Sequence, residues 1–123
     1  MKLILIIGAG SFIGGVIRYL ISLFVHNKIM SAFPLGTLIV NLLGCFFIGI
    51  VFGLIDKGNV NQEWKFFLIT GLLGGFTTFS AFSIETVNML RDGQFLYASS
   101  YILFSVVFGI IAAMLGILII KIV

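Results

Sequence analysis

Charged residues, cysteine and histidine are all scarce in this chain of 123 residues. Only 9% of the residues are charged while 61% are hydrophobic, which is too apolar for a water-soluble domain of this size. The single cysteine, Cys45, excludes an intrachain disulfide and does not predict a metal ligand. One histidine, His26, falls in a predicted loop, and Glu85 is the one candidate acid within an apolar segment. No acid–base or metal-ligating cluster can be assembled from these groups, so the chain is not predicted to be an enzyme.

Long hydrophobic runs, in contrast, fill most of the chain. Four runs each exceed the about 20 residues that a helix needs to cross the hydrocarbon of a bilayer. They are Leu3–Val25, Phe33–Ile55, Trp64–Leu90 and Phe95–Ile120. The first is too long for a signal peptide and no small-residue cleavage site follows it, so it is predicted to be retained. The pattern predicts an all-α membrane protein with one four-helix transmembrane domain over residues 1–123, which acts within the lipid bilayer and has no nucleic-acid partner.

The basic residues are almost evenly divided between the two ends of the predicted helices. Four lysines fall on the side of the termini, and three basic residues fall on or near the other side: Lys2, Lys57, Lys65 and Lys121 against Lys28, Arg91 and Arg18. Because the positive-inside rule has little to act on, the chain can insert in both orientations. Four helices cannot enclose a pore and also cover their polar residues, so an oligomer is expected, and an antiparallel homodimer becomes possible.

The third hydrophobic run contains the sequence GLLGGFTTFSAFSIE at residues 71–85. Gly74 and Gly75 weaken a helix, and the hydroxyl side chains that follow can bond the freed backbone groups. The third helix is therefore predicted to break near Gly74–Thr78. Lipid offers backbone groups no partners, so such a break must be buried in protein or line a wet cavity. Exposed carbonyls bind cations and exposed amides bind anions, which predicts a transport protein.

Several other embedded residues allow both a structural and a functional interpretation. Asn41 either holds the helices together by a hydrogen bond or offers an amide N–H to an anion. Arg18 either extends its charge to the interface or stands in the vestibule of an anion path. Phe79 and Phe82, three residues apart, either pack or present positive ring edges to a small anion. Tyr101 is either an interfacial tyrosine or a donor into a vestibule.

Small residues and one acid complete the set of candidates. The run GAGSFIGG superficially resembles a dinucleotide-binding fingerprint, but it lacks the strand, the crossover and the later acid. Gly10 and Gly14 are instead predicted to pack against another helix, and Ser105 with Gly109 forms a second small face. Glu85 is either a buried carboxylate that accepts hydrogen bonds from hydroxyls or a residue near the far interface.

Three segments together resemble the Fluc (CrcB) family of small fluoride channels, and the resemblance covers the whole chain. They are GGVIRY at residues 14–19, GTLIVNLLG at residues 36–44 and GGFTTFSAFSIE at residues 74–85, of which the third is the most specific. The resemblance implies a dual-topology antiparallel homodimer in the inner (plasma) membrane. It also implies passive export of fluoride from the cytoplasm through two parallel pores, with a structural sodium ion at the dimer centre.

The same resemblance assigns residues to the pore and to the sodium site. The implied pore residues are Asn41, Phe79, Phe82, Thr78, Ser80, Ser83, Tyr101 and Arg18. The implied sodium ligands are the main-chain carbonyls of Gly74 and Thr77 from each subunit. Ala81 stands where many relatives have threonine, so a hydroxyl at that position is not essential or is supplied elsewhere.

Two other classes of protein fit the sequence less well. A small multidrug transporter is also a four-helix, dual-topology protein, but proton-coupled export of organic cations requires a carboxylate in the middle of the first helix. The first run has none. A structural membrane protein without transport leaves the broken third helix and its hydroxyls unexplained.

Overall fold

The computed structural model describes residues 1–123, which form helices joined by short loops and no strands. Four helical spans are long and apolar enough to cross a membrane. In chain order they are α1 (Lys2–Lys28), α2 (Leu35–Asp56), a third span (Gln62–Arg91) and a fourth (Phe95–Ile122). Their limits agree with the predicted runs to within three residues. The predicted all-α, four-span fold class is confirmed.

The third span is divided into two halves by a short extended segment. Its first half, residues 62–76, consists of α3 (Gln62–Lys65), a π-helix π1 (Phe66–Leu73) and one further turn, α4 (Gly74–Phe76). Thr77 and Thr78 are extended, and helix α5 (Phe79–Arg91) forms the second half. The fourth span is the single helix α6 (Phe95–Ile122).

The break is therefore narrower than predicted and is formed by threonines rather than by glycines. Gly74 and Gly75 remain helical, whereas the ψ angles of Thr77 and Thr78 are 157° and 114°. Both threonine side chains bond to nearby backbone: Thr77 Oγ1 donates to the Leu73 carbonyl at 2.9 Å, and Thr78 Oγ1 accepts from the Ala81 amide at 3.2 Å. Such bonds offer the backbone an alternative to continuing the helix.

Glycine at the contact between α1 and the first half of the third span allows two backbones to touch. A Cβ atom on Gly10 would lie 2.7 Å from the Phe67 carbonyl oxygen, and one on Gly75 would lie 2.5 Å from that of Ser11. At Gly14 a Cβ would overlap the Leu72 carbonyl oxygen. The predicted packing role of Gly10 and Gly14 is confirmed.

The two halves of the third span pack against different helices. The first half lies mainly on α1, whereas α5 lies on α6, and α2 contacts both halves and packs extensively on α6. The extended segment at Thr77–Thr78 thus carries the chain from one side of the bundle to the other. A break placed there brings two helix ends beside α2 in the interior of the span.

The loops place the chain ends consistently with the predicted topology. Lys2 Nζ lies 2.6 Å from Glu63 Oε1, so the N-terminus and the start of the third span lie on the same side of the bundle.

The turns that follow α2 and α5 each contain a glycine with positive φ. Gly58 and Gly93 both have a φ of +73°, a backbone conformation that glycine adopts without a steric penalty.

Candidate functional site

The side chain of Asn41, on α2, holds the extended segment of the third span by two hydrogen bonds. The Thr78 amide donates to Asn41 Oδ1 at 2.9 Å, and Asn41 Nδ2 donates to the Thr78 carbonyl at 3.1 Å. Asn41 is partly buried at this position. The structural interpretation of Asn41 is therefore confirmed as an interhelical bond, while one of its two Nδ2 hydrogens stays available to another acceptor.

Backbone groups on each side of the break lack their helical partners. The Thr78 amide does not donate to the Gly74 carbonyl and no amide donates to the Thr77 carbonyl, while the amides of Phe79 and Ser80 lie in the first turn of α5, where a helix provides no acceptor for them. The carbonyls are hard oxygen ligands, and the amides carry the partial positive charge of a helix N-terminus. The carbonyls before the break can thus contact a cation, and the amides after it can contact an anion.

Arg18 reaches the same break from α1. Its Nε donates to the Gly75 carbonyl at 3.2 Å, and the residue is partly buried. In a continuous helix this carbonyl would accept a hydrogen bond from the Phe79 amide, but the extended Thr77–Thr78 segment interrupts the helix between them. The structure thus places Arg18 in a contact that neither sequence interpretation described, and it does not bring Arg18 into the cavity beside Asn41.

A cavity of about 360 Å³ opens beside the break. It is lined by residues of α2, the third span and α6: Asn41, Gly44, Cys45, Ile48, Ile69, Leu73, Gly74, Thr77, Thr78, Phe79, Phe82, Ser105 and Val106. Six of the residues assigned from the sequence therefore meet at one cavity, namely Asn41, Thr78, Phe79, Phe82, Gly74 and Thr77. Ser80, Ser83, Tyr101 and Arg18 do not line it.

Three aromatic rings continue from this cavity into the protein. The centroids of Phe79 and Phe82 are 5.6 Å apart, and those of Phe82 and Tyr101 are 5.1 Å apart. Phe79 is 79% exposed in the single chain, whereas Tyr101 is fully buried and meets Phe33 edge-on at 5.4 Å. The interfacial interpretation of Tyr101 is therefore wrong, since an interfacial tyrosine is exposed at the headgroups.

Glu85 accepts a hydrogen bond on each carboxylate oxygen. Thr37 Oγ1 donates to Oε1 and Tyr101 Oη donates to Oε2, both at 2.7 Å. Glu85 also lines a second cavity, of about 280 Å³, together with His26, which lies near the end of α1 rather than in the predicted loop, and Ser31 of the loop that follows. Of the two sequence interpretations, the carboxylate that partners hydroxyls is confirmed.

The remaining hydroxyls differ in what they bond. Ser80 Oγ lies 3.2 Å from Thr78 Oγ1, and Ser83 Oγ donates to the Phe79 carbonyl at 2.9 Å. Ser105 Oγ is buried without a hydrogen-bond partner and lines the cavity beside Asn41. The sequence pattern predicts only a helix-packing role for Ser105. Its position four residues after Tyr101, on the same face of α6, is the signal that would have found it.

The groups that could contact a cation here are main-chain oxygens. No three His, Cys, Asp or Glu side chains lie close enough together to hold a metal ion. Cys45 lines the cavity as a free thiol. A cation at the break would therefore meet the Gly74 and Thr77 carbonyls, which suit a hard ion.

Comparison with known proteins identifies the family. The family model described as CrcB-like protein, Camphor Resistance (CrcB), matches residues 5–117. A protein of Flavobacterium psychrophilum is 45% identical over 122 residues, which cover 98% of each chain. One of Azobacteroides pseudotrichonymphae is 44% identical over 94% of each chain, and one of Chlorobium chlorochromatii is 46% identical over 94% of this chain and 89% of its own.

All three relatives carry the name fluoride-specific ion channel FluC. The match extends over nearly the whole length of both partners, and the four spans agree with a multi-pass membrane protein. The family consists of ion channels and not of enzymes. This chain belongs to the CrcB family.

Proposed function

We propose that the chain forms a fluoride-selective channel through which fluoride leaves the cytoplasm passively. The observation that carries the proposal is the break at Thr77–Thr78, which opens on a cavity lined by Asn41 and two phenylalanines. The names of the relatives supply the identity of the ion. A broken helix at membrane depth is a recurrent way to build an ion site in a transport protein.

The cavity offers a small anion weak, positively polarised contacts. Asn41 retains one Nδ2 hydrogen, the amides of Phe79 and Ser80 lie in the first turn of α5, where a helix leaves them without an acceptor, and the rings of Phe79 and Phe82 carry positive edges. Fluoride is strongly hydrated, so a pore must replace its water without holding it tightly. Scattered donors and ring edges meet that requirement better than a fixed positive charge inside the cavity.

A structural sodium ion at the centre of a dimer is the second part of the proposal. The carbonyls of Gly74 and Thr77 receive no hydrogen bond, and Gly74 is exposed on the surface of the single chain. Their carbonyl oxygens suit a hard cation, because hard cations prefer oxygen ligands. When bound, the ion supplies a fixed positive charge near an anion path.

An antiparallel homodimer in the inner (plasma) membrane completes the proposal. The unpaired carbonyls belong to Gly74 and Thr77, which line the same cavity as the exposed Phe79 ring, and lipid would provide these carbonyls with no hydrogen-bond partners. A second copy placed over the break would cover them. The even division of basic residues supports an arrangement in which the two copies have opposite orientations.

Fluoride efflux from liposomes tests the channel proposal directly. Purified protein is reconstituted into vesicles loaded with fluoride or with chloride, and efflux is followed with an ion-selective electrode after the membrane potential is collapsed. Rapid fluoride efflux with chloride release no faster than from empty vesicles is expected. Fluoride release at the rate of empty vesicles would refute transport, and equal release of both ions would refute selectivity.

A further inference from the structure

The Asn41 side chain and the helix break are linked through one peptide group. In a continuous helix the Thr78 amide would donate to the Gly74 carbonyl, four residues earlier. Here that amide donates to Asn41 Oδ1 instead, at 2.9 Å, and no other group donates to the Gly74 carbonyl. The Thr78 amide therefore donates to Asn41 instead of to the Gly74 carbonyl, which is left without its helical donor.

We propose that Asn41 is a positioning residue for cation binding: by holding the Thr78 peptide it keeps the third span open and leaves the Gly74 carbonyl free to contact a hard cation. This inference rests on the sodium site proposed above and assigns to Asn41 a role besides donation to the anion. Donation to an anion would require only the Nδ2 group of Asn41. The Oδ1 atom instead accepts a hydrogen bond from the Thr78 amide and so holds the extended segment in place.

A second contact of α2 acts on the adjacent residue of the break. Gly44 lies three residues after Asn41 on the same face of α2, and a Cβ atom there would overlap Thr77 Cγ2. On helix α2, Gly44 thus leaves space for the Thr77 side chain, and Asn41 bonds to Thr78. Together Asn41 and Gly44 define the α2 clamp, which fixes two consecutive residues of the extended segment.

Fixing the extended segment also fixes where its carbonyls point. If the helix could close, the Thr78 amide would donate to the Gly74 carbonyl. That bond would compete with the cation for the same oxygen, so the cation would bind less tightly. Residues that orient metal ligands without touching the metal typically change its affinity about 10- to 100-fold when they are replaced. The α2 clamp is expected to act on sodium in this way.

Thermal unfolding of the purified dimer at a series of sodium concentrations, with N-methylglucamine as the replacement cation, tests the inference without measuring flux. The Asn41→Leu variant removes both bonds to Thr78 at similar side-chain volume. The sodium concentration that gives half of the stabilisation is expected to rise about 10-fold or more in this variant. Gly44→Ala, which displaces Thr77 but keeps the Asn41 side chain, is expected to shift it in the same direction.

Thr37→Val is the matched control, because Thr37 is a buried polar residue of α2 one turn before Asn41 and bonds Glu85 instead of the break. This variant is expected to unfold at a lower temperature at every sodium concentration, with the same half-point. Absence of any sodium response in the unmodified protein would overturn the sodium site and this inference together. A sodium response with an unchanged half-point in Asn41→Leu and Gly44→Ala would overturn the inference alone.

Discussion

Glu85 shows how a carboxylate can be accommodated within the membrane part of an anion channel. Each of its oxygens accepts a hydroxyl hydrogen bond, one from α2 and one from α6. These two bonds replace hydrogen bonds that the carboxyl group would otherwise make to water. The residue thus ties three helices together next to the aromatic rings that extend from the cavity.

Replacement of Glu85 by alanine is expected to destabilise the protein strongly. Two buried hydroxyls, on Thr37 and Tyr101, would lose their acceptor, which predicts a loss of about 2–4 kcal/mol in the free energy of unfolding. Glu85→Gln, which keeps one acceptor oxygen and can donate to the other hydroxyl, is expected to cost less than half as much. Urea unfolding in detergent measures both. Equal stability of Glu85→Ala and the unmodified protein would contradict the assigned hydrogen bonds.

Replacement of Phe79 or Phe82 by isoleucine is expected to reduce fluoride efflux at least about 10-fold, since an aliphatic chain has no positive ring edge. Methionine, which is polarisable, is expected to reduce it less. Because Phe79 is 79% exposed in the single chain, its replacement should disturb the packing within that chain little. Efflux from liposomes measures the effect once each variant has been shown to be dimeric.

Phe108→Ile provides the control for that experiment, because Phe108 is an exposed ring on α6 that lies outside the cavity. Its efflux should equal that of the unmodified protein. If both pore variants conduct normally while remaining dimeric, these rings do not contact fluoride.

The sequence alone predicted part of this site. Phe79 and Phe82 follow one another on one helical face directly after the break, so local spacing was sufficient to place them together. The partners of Glu85 and Asn41 lie on other spans, and which spans adjoin depends on packing that spacing does not reveal. For the same reason the contact of Arg18 with the Gly75 carbonyl was not foreseen.

The third span is the element in which sequence and structure differ most. The glycines predicted the existence of the break, but its location at Thr77–Thr78 depends on bonds from α2. The π-helical turns of π1 carry no obvious sequence pattern, since FFLITGLL would read equally well as an α-helix. Gly74 and Gly75 are predicted from the sequence to weaken the helix, whereas both remain helical and Gly75 provides close contact with α1.

The close contact between α1 and the third span yields a prediction with an internal control. Gly14→Ala places a methyl group on the Leu72 carbonyl and is expected to destabilise the protein by about 1–3 kcal/mol. Gly8→Ala, on the same helix, adds a methyl group with nothing within 4 Å. It is expected to be neutral or slightly stabilising, because alanine favours a helix over glycine. Thermal unfolding in detergent compares them, and equal effects would contradict backbone contact at Gly14.

For the molecule as a whole, the four spans were predictable because apolar length alone determines them. How two chains would be oriented in the proposed dimer is a separate question, which depends on the charge balance. Adding positive charge to the loop between α2 and the third span should force one orientation. Asn59→Lys in this loop with Gln62→Lys at the first residue of α3 does so while sparing Asn61, whose side chain caps α3.

Cells that depend on fluoride export for growth in fluoride provide the measurement. The biased chain alone is expected to fail, as is a chain biased oppositely by Asp92→Lys and Gln94→Lys in the loop before α6. Co-expression of the two should restore growth. Normal fluoride resistance in cells that express only one biased chain would contradict the antiparallel dimer.

The division of the third span between two helices has a consequence for biosynthesis. The first half meets α1, which is made before it, but α5 rests on α6, which leaves the ribosome later. Until α6 arrives, Glu85 has its Thr37 partner and lacks Tyr101, and an incompletely paired acid is expensive in a bilayer. The third span is also the least hydrophobic of the four, with a mean hydropathy of 1.6 against 2.9 for α6. The third and fourth spans are therefore expected to leave the translocon as a pair, and a nascent chain that stops before Phe95 should remain accessible to water at α5.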